Sequence, residues 1–83
     1  MHKRIVKAIE LALTQHEPGL FGESLLSIFV ESKETAGFWR MIIIPRKGYE
    51  HLLSHIERIG RDIGSFYGEG LAVEKASNYI LFS

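Results

Sequence analysis

Phe38-Trp39-Arg40-Met41-Ile42-Ile43-Ile44, closed by Pro45, is the segment from which the fold can be read. Its β-branched run is apolar on both sides of an extended chain, as suits a central strand. Pro45 has no N–H to donate and is expected to stop the ladder there. Upstream, Ser32-Lys33-Glu34-Thr35-Ala36-Gly37 is a polar connection short enough for a hairpin. Before it, Ser24 to Glu31 alternates Leu26, Ile28 and Val30 with Leu25, Ser27 and Phe29, a second strand.

Downstream, Tyr49, Leu52, Leu53, Ile56, Ile59, Gly60 and Ile63 recur at helical spacing, with Glu50, Ser54, Glu57, Arg58 and Arg61 on the other face. Gly60 and Gly64, four apart, predict close packing of this helix on a sheet. Gly64, Gly68 and Gly70 loosen its exit. Leu71 to Lys75 and Tyr79 to Phe82 are short strands around the turn Ala76-Ser77-Asn78. At the other end, Ile5, Ile9, Ala12 and Leu13 mark an amphipathic helix from about His2 to His16, ended by Glu17-Pro18-Gly19.

The element order is therefore α-β-β-α-β-β, and the two halves echo each other. Phe21-Gly22-Glu23-Ser24-Leu25 is matched by Tyr67-Gly68-Glu69-Gly70-Leu71, and Val30-Glu31-Ser32-Lys33 by Val73-Glu74-Lys75. The echo reads either as an internal duplication or as convergent turn chemistry. The expected fold is α+β: one domain over residues 1–83, a two-layer sandwich of two helices on a four-stranded, mainly antiparallel sheet. The order resembles the core of the LAGLIDADG homing endonucleases, and Gly19-Leu20-Phe21-Gly22-Glu23 looks like the end of their signature helix. That likeness is one of topology and carries no catalytic residue over.

Ten Lys and Arg balance ten Asp and Glu, so no overall positive charge draws the chain to nucleic acid. The sequence has no cysteine, hence neither disulfide nor thiolate metal site. No apolar run approaches the ~18 residues of a membrane span, and Lys7 and Glu10 interrupt any signal-like segment. A cytoplasmic protein without a cofactor is expected.

Both faces of the sheet read apolar. With Leu25, Phe29, Trp39, Met41 and Ile43 placed on the face opposite Leu26, Ile28 and Ile42, one face is left for a partner, and a homodimer buries it. A groove for another protein is the variant of that idea. An alternative class is a nucleic-acid or nucleotide-phosphate binder. There Arg46 and Lys47 precede a helix N-terminus that favours anions, and Arg40 and Trp39 add a cation and a stacking surface. His51 and His55 stand at the i, i+4 spacing of two metal ligands, with Arg58 next on that stripe. Glu23 and Glu69 occupy matching places in the echo, where a twofold would pair two carboxylates. No nucleophile constellation is present, so the chain reads as a non-catalytic interaction module.

Overall fold

The computed structural model describes residues 2–16 and 25–83. Helix α1 (His2–Leu11) runs into a π-helical turn, Ala12–His16. Strands β1 (Leu26–Lys33) and β2 (Phe38–Pro45) form a hairpin across a 3₁₀ turn, Glu34–Ala36. A second 3₁₀ turn, Glu50–Leu52, leads into α2 (Leu53–Tyr67), followed by β3 (Val73–Lys75) and β4 (Ile80–Phe82). The order is the expected α-β-β-α-β-β, and the sheet is antiparallel throughout, in the order β1-β2-β4-β3. The second strand of each half thus meets the other at the sheet centre.

One buried cluster holds the layers together. Ile5, Val6, Ile9 and Leu13 of the first helical segment meet Leu52, Leu53 and Ile56, and both sets close over Met41, Ile43, Ile80 and Phe82. The helical stripe of α2 brings Gly60 onto the sheet: a β-carbon there would overlap the ring of Phe82. The close approach expected from Gly60 and Gly64 is therefore made against β4 and against Leu71. The exit of α2 is capped rather than loosened. Gly68 is left-handed (φ 68°), its N–H donates to Ser65 O, and Glu69 N–H donates to Gly64 O, which satisfies carbonyls the helix leaves open.

The ladder between β1 and β2 does not stop at Pro45. Leu26 pairs with Pro45, and the N–H of Arg46 donates to Leu25 O at 2.7 Å. Hydrogen-bonded and non-bonded pairs alternate in an antiparallel ladder. Because Leu25 and Arg46 exchange a hydrogen bond, Leu26 and Pro45 form a non-bonded pair, and the missing proline N–H is not needed there.

The faces differ from the expected grouping. Phe29 lies opposite Ile42, Ile28 opposite Ile43, and Val30 opposite Met41. Directly opposed residues point to the same side. Met41, Ile43 and Trp39 therefore share the helix-covered side with Leu26, Ile28 and Val30. Phe29 shares the open side with Phe38, Arg40, Ile42 and Ile44. The cause is loop parity. Lys33 pairs with Phe38 across four connecting residues, so odd positions on β1 oppose even positions on β2. One residue more or fewer in the loop would have exchanged the faces.

Candidate interaction surface

The five residues expected to form one dimer face are divided by this register. Met41 and Ile43 are completely buried beneath the helices, and Trp39 packs against the same cluster. Phe29, 57% exposed, is on the opposite side of the sheet, and Leu25, half-buried, precedes it on that side. The grouping fails for a physical reason: the helices needed the Met41–Ile43 side, because only that side continues into Ile80 and Phe82.

The open side is nonetheless apolar. Phe29 and Ile44 (38% exposed) are flanked by half-buried Phe38, Ile42 and Leu81. Two of its charges, Arg40 and Glu31, are paired, while Lys33 is exposed on the same side opposite Phe38. Arg40 meets Glu31 at 3.2 Å across the ladder and lies over the Phe38 ring at 5.1 Å. At the far edge, Tyr79 Oη–H donates to Glu74 at 2.8 Å, and that carboxylate holds the phenol above its usual titration range.

Burial fades along β1. Leu26 and Ile28 are half-buried, while every residue from Phe29 to Lys33 is exposed. Val30 is 45% exposed on the helix side and Phe29 57% on the other, so this strand is uncovered on both faces. The opposite edge is different. There β3 is three residues long, and Lys75 is drawn to Glu57 of α2 at 3.0 Å. Glu57 also receives Arg61 at 3.1 Å, and Lys75 first, then Arg61, hold its carboxyl below the usual range. Glu57 is thus a tie between α2 and β3 rather than a free surface carboxylate.

The residues read as an anion site are not brought together. Arg40 and Trp39 point to opposite sides of β2. Arg40 and Arg46 are six positions apart on an extended chain, about 20 Å. Arg46 and Lys47 occupy a turn closed by Tyr49 N–H on Arg46 O at 2.9 Å, and both are exposed. The Glu50 carboxylate accepts the Gly48 N–H at 3.0 Å, placing a negative charge where an anion was expected. His51 and His55 are exposed, and among the described residues no group of three or more His, Asp or Glu is placed to hold a metal. Glu23 and the Gly19–Glu23 likeness lie outside the described residues, so the pairing of Glu23 with Glu69 does too.

A second surface lies on the helical layer and was missed from the sequence. A groove of about 680 Å³ runs between α1 and α2, lined by Arg4, Lys7, Leu11, Asp62, Phe66 and Tyr67. Phe66 is 83% exposed there, edge-on to Tyr67 at 5.1 Å, and Arg4 lies over the Tyr67 ring at 4.9 Å. Phe66 falls outside the helical stripe, and an aromatic off the stripe was the available signal.

No helix among the described residues is long and apolar enough to cross a membrane. Fold and surface together define a two-layer α+β sandwich in which, among the described residues, both helices lie on one side of the sheet. Comparisons with protein-family models, curated proteins and solved structures found no match to this chain.

Proposed function

We propose that this chain is a non-catalytic interaction module that works as a homodimer joined through its sheet. The observation that carries it is the apolar surface opposite the helices, where Phe29 and Ile44 stand exposed beside Phe38, Ile42 and Leu81. Apolar patches of this kind on a small domain mark contact surfaces. The ion pair of Arg40 with Glu31 neutralises the two charges beside Phe29 and Ile42 on that surface. Small size adds to the case, since a chain of 83 residues buries only ~60% of its unfolded surface and gains from covering more. An anion-binding role has less support, because Trp39, Arg40, Arg46 and Lys47 do not converge.

Light scattering through a dilution series tests the reading. The expected mass at micromolar concentration is twice the 9.4 kDa of one chain. A single-chain mass at every concentration refutes it. Titration with inorganic phosphate and a short single-stranded oligonucleotide, followed by amide shifts at residues 45–50, addresses the alternative: salt-sensitive shifts there would favour it.

A further inference from the structure

We infer that the second copy joins edge to edge along β1, antiparallel about a twofold axis at Phe29, extending the sheet from four strands to eight. This inference rests on the homodimer reading, but it places the contact on the β1 edge rather than on the sheet face, so of the apolar patch only Phe29 is covered and Ile44, Phe38, Ile42 and Leu81 stay open.

The backbone supplies the first part. The ladder phase set by Arg46 N–H on Leu25 O directs the polar groups of Ser27, Phe29, Glu31 and Lys33 toward β2. The N–H and C=O groups of Leu26, Ile28, Val30 and Ser32 therefore face outward. Among the described residues nothing pairs with that edge, because β1 ends the strand order. An eight-residue edge with apolar side chains exposed on both faces is a template for another strand. The β3 edge lacks these properties: it is short and carries Glu74 and Lys75.

The side chains choose the register. A twofold axis perpendicular to the sheet keeps each side chain on its own face, so it must pass midway between the two copies of one residue, which then oppose each other. Centred on Glu31, it opposes two like charges. Centred on Val30, it sets Phe29 against Glu31 and Ile28 against Ser32. Centred on Phe29, it sets Phe29 against its own copy, Ile28 against Val30 on both sides of the axis, and Ser27 against Glu31. Only this last register pairs all the exposed apolar residues of the strand. It also makes Phe29 a non-bonded pair, the type in which opposed side chains approach most closely. The outward groups of Leu26 and Ser32, and of Ile28 and Val30, then meet as hydrogen-bonded pairs. The joined sheet carries one continuous apolar face with the two Phe29 rings at its centre.

The absence of cysteine makes the register directly readable. At Phe29→Cys the two α-carbons would stand about 4.5 Å apart, within disulfide reach. At Ser27→Cys or Glu31→Cys the copies would be about 14 Å apart, and at Ile44→Cys about 20 Å. Each variant is oxidised in a glutathione buffer and run on a non-reducing gel, with the mass of the wild type measured in parallel. A covalent dimer from Phe29→Cys, and its loss in the other three, is expected. Val30→Lys, at a site 45% exposed within one chain, is expected to abolish the dimer while far-ultraviolet dichroism stays unchanged. A dimeric wild type that cross-links best through position 27, 31 or 44, or not at all through 29, overturns the edge contact and leaves the homodimer standing. A dimer that survives Val30→Lys does the same. A monomeric wild type overturns both.

Discussion

Gly60→Ala is the substitution in which two opposing effects of known size can be separated. Alanine favours a helix interior over glycine by ~1 kcal/mol. On an exposed surface the change would stabilise α2. Here the new β-carbon would overlap the Phe82 ring, lying 2.5 Å from Cε1 and 3.1 Å from Cε2, against the ~3.5–4.0 Å of ordinary carbon contact. Phe82 has no exposed surface and is held between Met41 and Val73 in the ladder, so its ring has no solvent side to move toward. Overpacking a filled core costs ~1–3 kcal/mol, and an overlap of this depth belongs in the upper half of that range. Subtracting the propensity gain leaves a net loss of about 1–2 kcal/mol, roughly 5–15 °C in Tm for a domain of this size. Urea denaturation followed by Trp39 fluorescence and by far-ultraviolet dichroism measures it. Gly64→Ala is the internal comparison. Its β-carbon meets Leu71 Cβ at 3.2 Å and Cδ2 at 3.4 Å, a lighter contact that the propensity gain offsets, so a change within ~0.5 kcal/mol is expected. A Gly60→Ala protein as stable as wild type, or more stable by the full propensity gain, would show that α2 does not rest on β4 as described.

Ile56 is completely buried at the centre of the α2 stripe, and Ile56→Ala should cost ~2–5 kcal/mol in chemical denaturation, whereas exposed Ser54→Ala should change little. Equal effects would mean the helix is rotated from its described phase. Glu57 titrates below its ordinary value in the folded chain because of Lys75 and Arg61, so its contribution is present above the unfolded pKa and lost as pH falls through the folded one. The urea midpoint of Glu57→Gln should accordingly fall less than that of wild type as the solution is acidified, and parallel curves would refute the tie. Tyr79 has the opposite sign: its raised pKa means the stabilisation from Glu74 is present below the unfolded value and lost as pH rises through the folded one. Ultraviolet titration of the phenolate should show one tyrosine shifted downward by Glu74→Gln, and an unchanged titration would refute the hydrogen bond.

Local chemistry was enough to place most elements. The 3.6-residue stripe of α2 identified Ile56 as core, and the Gly60 and Gly64 spacing predicted a close approach to a sheet, because burying one helical face is a property of the segment itself. The run from Phe38 to Ile44 was readable as a central strand for the same kind of reason, being apolar on both sides. The limits were equally local. Glu57 appeared a free surface residue, since nothing in a helix stripe reveals that Lys75, eighteen positions later, will reach it.

What the sequence could not determine is which apolar face of each strand the helices would cover. Strands β1, β2 and β4 each offered two apolar faces, and the choice required combining β1 with β2 through a loop whose parity sets odd against even positions. That single relation moved Met41 and Ile43 into the core and left Phe29 with Ile42 and Ile44 outside. The division of the anion-site residues has a simpler cause that was already local: Trp39 and Arg40 are neighbours on one strand and so face opposite ways, and Arg46 lies six extended positions from Arg40. Composition and periodicity act along one segment, and so they determined the elements. The exposed surface exists only where segments meet, and so tertiary pairing alone decided it.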